Sequence, residues 1–75
     1  MNLYQIISPT IGNKVLIVKA ENPNQASEVA RDVIEENHFT DETRYTLYIN
    51  ELVPPDNDGA GYCYPSIKTH TILSV

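Results

Sequence analysis

Few side chains in this chain are capable of chemistry, and their spacing limits what they can do. Cys63 is the single cysteine, and His38 and His70 are the two histidines. A nucleophilic thiol needs a neighbouring base or cation to become thiolate. Around Cys63 the chain supplies Tyr62 and Tyr64, with acid upstream at Asp56 and Asp58. Two histidines and one cysteine without tight spacing make neither a zinc pattern nor a catalytic one. Cys63 is therefore expected to behave as a small inert hydrophobe. Asp56-Asn57-Asp58-Gly59 begins like a calcium loop, which needs ligands at positions 1, 3 and 5, Gly at 6 and Glu at 12. Counted from Asp56, Gly59 falls fourth and Ile67 twelfth, so a turn is expected instead. Gly59-Ala60-Gly61 is followed by no basic residue or helix start, unlike a phosphate cradle. Carboxylates are numerous, but no apolar pocket that would split their pKa values can be read from the chain. No catalytic residue, metal ligand or cofactor is assigned, and the chain reads as a non-enzyme.

The elements that position these groups follow from periodicity. Ala26, Val29, Ala30, Val33 and Ile34 recur at helical spacing and form one apolar stripe. Asn22 and Gln25 stand at capping-box spacing, and Pro23 falls at the first helical position, where its missing N–H costs nothing. A helix is thus expected within Asn22 to Phe39, with its stop near Asn37 and His38, because no regular apolar spacing continues into Thr40-Asp41-Glu42-Thr43. Leu3 to Ser8, Lys14 to Ala20, Arg44 to Val53 and Ile67 to Val75 read as strands. The second is apolar on both faces, Val15 and Ile17 against Leu16 and Val18, which suggests a central strand. In the fourth, Ile67, Thr69, Thr71, Leu73 and Val75 would share one face, with His70 and Ile72 on the other. Pro54-Pro55 ends the third strand, and a long loop runs to Ser66. The expected fold is α+β: a two-layer β-β-α-β-β domain over residues 1–75, with a four-stranded sheet and one helix packed on one face. The other sheet face would be partly bare, with Tyr4, Tyr48 and Ile72 as candidates for it, and such a face often becomes a dimer or partner surface.

Charge carries the strongest functional hint. The net charge of −5 argues against direct nucleic-acid binding, which normally needs a basic face. All ten acids lie between Glu21 and Asp58, with only Arg31 and Arg44 among them, a balance of −8. The remaining segments hold Lys14, Lys19 and Lys68 and no acid, a balance of +3. Glu35 and Glu36 fall in the last helical turn, where the helix dipole disfavours anions by roughly 0.3–1 kcal/mol each. His38, at the helix end, is placed to meet the last carbonyls as a cation.

These features equally suit a solvated helix, but they also predict an acidic face that attracts a basic protein surface. Glu28, Asp32, Glu35, Glu36, Asp41 and Glu42 would supply the charge, joined by Asp56 and Asp58, with Tyr62 and Tyr64 as anchors. The alternatives are a homodimer or assembly component, and, further off, a small enzyme using Cys63. One cysteine leaves no intramolecular disulfide and points to a reducing, cytoplasmic compartment. Met1 to Ser8 lacks the basic start and apolar run of a signal peptide. The longest apolar run, Val15 to Val18, is far too short to cross a bilayer. In size, element order and acidity the chain is similar in style to short phage-encoded accessory proteins, a likeness of shape and composition that gives no residue a role.

Overall fold

The computed structural model describes residues 1–54, 59–61 and 66–75. The turn expected at Asp56-Asn57-Asp58 and the candidates Cys63, Tyr62 and Tyr64 lie outside the described residues. The helical stripe and the alternating segments fold as their periods require. The elements are β1 (Asn2–Ile7), β2 (Val15–Ala20), α1 (Pro23–Glu36), β3 (Thr46–Val53) and β4 (Ser66–Ser74), with a 3-10 turn over Pro9–Ile11. The strands form one antiparallel sheet in the order β2-β1-β3-β4, with α1 packed on one face.

Local chemistry fixes the connections. Ser8 caps the 3-10 turn, its Oγ accepting from the Thr10 N–H at 3.4 Å, and Gly12 takes a φ of 68° to turn the chain back into β2. The helix starts where expected. Asn22 Oδ1 accepts from the Gln25 N–H at 2.8 Å, and Gln25 Oε1 accepts from the Glu21 N–H at 2.6 Å. That second bond reaches one residue further back than the expected capping box.

The helix ends at Glu36, just before the expected stop near Asn37 and His38, in a Schellman arrangement. The Phe39 N–H reaches the Ile34 carbonyl at 3.1 Å, and the His38 N–H reaches the Glu35 carbonyl at 3.3 Å. His38 adopts a φ of 53°, a position usually held by glycine. Its backbone, not an imidazolium, meets the last carbonyls. Lys14 lies 5.2 Å from the Phe39 ring centroid and covers the helix exit.

The core lies between α1 and one face of the sheet. Tyr4, Ile6, Val18, Ala20, Leu47 and Ile49 meet Ala26, Ala30 and Ile34 there, with Ile11 and Tyr45 at its margins. Tyr4 was a candidate for the bare face, but it is fully buried on the helix side. The parity of β1 places Tyr4 beside Ile6.

Two further expectations change. β2 is an edge strand. Apolar residues on both faces reflect what covers a strand above and below, not its place in the ladder. β4 also departs from strict alternation. A bulge opposite Glu51 and Leu52 sets Thr69 against Glu51 and Ile67 against Leu52. Lys68 is the extra residue, and Ile67 therefore moves to the face that carries His70 and Ile72.

Candidate interaction surfaces

The helix presents the first candidate surface. Glu28, Asp32, Glu35 and Glu36 are exposed and follow i, i+4, i+7, i+8 spacing, so they form one stripe opposite the buried one. Asp41 and Glu42 are exposed in the segment that follows. Arg31 pairs with Glu35 at 3.2 Å, but both side chains are more than half exposed, so the pair is weak. Tyr45 senses this field from below. It is 6 % exposed, and its phenol pKa is raised first by burial, then by Glu35 and Asp32, against a lowering by Arg31. Among the described residues its hydroxyl has no hydrogen-bond partner.

Glu51 does not belong to this surface. It is buried on the core side, where its Oε1 accepts from the Tyr4 hydroxyl at 3.1 Å and its Oε2 lies 3.4 Å from Lys68 Nζ. The β3 alternation and the bulge bring these three groups together. Asp56, Asp58, Tyr62 and Tyr64 fall outside the described residues.

The second surface is the sheet face away from the helix. Strand register sorts it into rows. Val15, Ile7, Tyr48 and Ile72 form one; Lys19, Leu3, Leu52 and Ile67 form another. Between them run Ile17, Gln5, Asn50 and His70. Ile17, Ile67 and Ile72 are each 56 % exposed, Val15 50 % and Leu3 38 %. Most of the exposed large apolar side chains among the described residues thus share one face. Among the described residues this face carries no carboxylate, and Lys19 is its one formal charge.

The middle row is held by hydrogen bonds. Asn50 Nδ2 donates to Gln5 Oε1 at 3.2 Å, and Asn50 Oδ1 lies 2.6 Å from His70 Nδ1. Asn50 Oδ1 can only accept, so with this amide orientation His70 donates through Nδ1–H. The Tyr48 ring stacks beside His70, with centroids 6.4 Å apart. These neighbours leave Asn50 only 7 % exposed despite its place on an open face. Parity placed Tyr48, His70 and Ile72 on one side each, but Gln5 and Asn50 were missed. Their partnership exists only once β1, β3 and β4 are set side by side.

His38, at the helix exit, and His70, on the open face, stand on opposite sides of the sheet and form no joint site. Among the described residues no three His, Asp or Glu side chains converge as metal ligands would. An open hollow of about 430 Å³ lies beside Arg44, Tyr45, Thr46, Ser74 and Val75 at the end of the β3–β4 ladder. Among the described residues no helix is long and apolar enough to cross a membrane. Comparison with models of protein families, with curated proteins and with solved structures finds no match to this chain.

Proposed function

We propose that the chain is a non-enzymatic protein-binding module whose acidic helix layer docks on a basic surface of a partner protein. The segregation of charge supports this reading. Glu28, Asp32, Glu35 and Glu36 share one exposed stripe about 12 Å long. Asp41 and Glu42 extend it, and Arg31 offsets only part of it. A groove that binds nucleic acid presents the opposite charge. The module would act as a regulator or inhibitor, in the manner of a small phage protein, by occupying such a groove on a cytoplasmic enzyme. In this reading it carries out no reaction itself and touches no nucleic acid.

Capture of partners from a native-host extract on the immobilised chain tests this proposal. Glu28→Lys, Asp32→Lys and Glu35→Lys together should reduce retention of the captured partner at least tenfold, and high salt should elute it. Retention unchanged by the triple reversal would sink the idea. The alternative reading, self-association, is favoured by a separate observation, the uncovered apolar sheet face.

A further inference from the structure

We infer that the open sheet face is a homodimer interface, occupied by the same face of a second copy. This goes beyond the acidic docking surface and does not depend on it. Three features select the occupant. The first is clustering. Leu3, Val15, Ile17, Ile67 and Ile72 all lie on this face and are each more than a third exposed. Scattered exposed apolar residues need no explanation, whereas a contiguous patch marks an interface.

The second feature is charge. The chain carries −5, so most approaches of one copy to another are repulsive. Among its described residues this face holds no carboxylate. Face-to-face packing therefore turns both acidic helix stripes outward and joins surfaces that are nearly uncharged. A basic partner would meet Lys19, and an anionic partner would find Lys19 as the only formal cation. A second copy meets neither obstacle, because Lys19 stands at the rim on edge strand β2.

The third feature is pattern. The face has an apolar row, a hydrogen-bonded polar row and a second, mainly apolar row. A two-fold axis lying in the interface through the middle row sets Gln5, Asn50 and His70 against their own copies. The flanking rows exchange places, so Leu3 meets Ile7, Leu52 meets Tyr48 and Ile67 meets Ile72, while Lys19 meets Val15 at the rim. An isologous contact requires such self-complementarity. The result is a β-sandwich of two four-stranded sheets at the usual spacing of about 10 Å.

The area fits a reversible dimer. Four strands about 4.8 Å apart and some six residues long at about 3.3 Å each give a face of roughly 20 by 20 Å. Counted over both copies that is about 800 Å², below the area of standard stable interfaces and in the range of weak, transient ones, so dissociation on dilution through the micromolar range is expected.

Sedimentation velocity of the full chain from about 1 µM to about 1 mM tests the inference, with concentrations chosen to span weak-complex dissociation constants. The wild type should move from monomer to dimer. Ile17→Glu and Ile72→Glu should each raise the dissociation constant at least tenfold with unchanged circular dichroism. Both positions are about half exposed, so the monomer should tolerate them. Added salt should leave the dimer intact or tighten it, the opposite of acidic docking. A wild-type monomer throughout the range overturns the inference. So does a dimer whose dissociation constant neither substitution changes, because association then uses another surface. Glu28→Lys with Asp32→Lys should leave the dimer in place, so failure of the acidic docking surface and failure of this interface are read separately.

Discussion

The two faces of the sheet use the same residue types and meet different fates. On one face Ile6, Ile49, Leu47 and Val18 lie under α1 and are almost fully buried. On the other Ile17, Ile67 and Ile72 stay about half exposed beside a buried asparagine. Apolar content alone does not decide which residues become core. The helix covers one face, and among the described residues no element covers the other. The contrast also separates two kinds of polar group. Glu51 is buried within the chain and bonded there to Tyr4. Asn50 is shielded at the surface by its own cross-strand neighbours, Gln5 and His70.

The sharpest way to break this comparison is to shorten isoleucine on each side. Ile49→Ala should cost about 2–5 kcal/mol, because a fully buried side chain leaves a cavity. In a domain this small that approaches the whole stability. Ile72→Ala, measured by urea unfolding at a concentration where the chain is monomeric, should stay within about 0.5 kcal/mol. Equal losses at the two sites would remove the distinction between the faces.

Next in size is Glu51. Glu51→Ala removes the acceptor of the buried Tyr4 O–H, leaving that hydroxyl only the bond it accepts from Asn2 Nδ2 at 3.4 Å, and should cost about 1–3 kcal/mol. Lys68→Ala should cost little, because Lys68 is 66 % exposed and its ion pair is largely solvated. Unfolding midpoints of both variants and of Tyr4→Phe would show whether the hydrogen bond or the ion pair matters.

A smaller effect, of opposite sign, is expected where the helix leaves the core. His38 holds a left-handed backbone without being glycine. His38→Gly should stabilise the fold by about 0.5–1 kcal/mol, the relief of that strain less the added chain entropy of glycine. A loss of stability would mean that the imidazole packs usefully there.

The smallest effect at neutral pH is expected at Tyr45. Tyr45→Phe removes a buried hydroxyl that has no partner among the described residues and should be close to neutral or slightly stabilising. Its consequence appears in alkali. The folded phenol ionises above the ordinary value of 10.0, because burial and then Glu35 and Asp32 oppose its charge. The unfolded chain therefore loses this proton first, and stability falls as pH rises from about 10 through the folded value. Denaturation midpoints measured between pH 9 and pH 11.5 should decline less steeply in Tyr45→Phe than in the wild type.

Periodicity made the architecture legible: the helix stripe, the four strands and the two-layer arrangement follow from spacing alone. Asn22 and Pro23 fixed the helix start to the residue. The helix end was harder, because the chain leaves through His38 in a conformation that sequence reserves for glycine. The faces assigned in β2 held, Val15 and Ile17 against Leu16 and Val18, because that strand alternates without interruption. Ile67 was placed on the wrong side because a single extra residue, Lys68, resets parity, and no local signal marks that bulge. Tyr4 was misplaced for a different reason: alternation says that Tyr4 shares a face with Ile6, but not which face of the strand the helix covers. The acidic stripe was fully legible, since helical spacing gathers Glu28, Asp32, Glu35 and Glu36 without help from tertiary structure. The polar row through Asn50 was not, because it is a property of strand order.

Strand direction alternates across the sheet, so the two outer strands, β2 and β4, run opposite to one another. A copy shifted sideways without rotation could therefore lay its β2 along β4 in regular antiparallel pairing. The next copy could do the same without limit. Such head-to-tail growth builds a filament rather than a closed assembly. The bulge at Lys68 spoils the template at one end of β4, and Lys68 itself adds the charge that commonly guards exposed strands. Only the stretch from Thr69 to Ser74 remains straight enough to be copied. Deleting Lys68 would restore an uninterrupted eight-residue ladder from Thr46 to Val53, and with it a straighter outer edge on β4 from which fibres could grow.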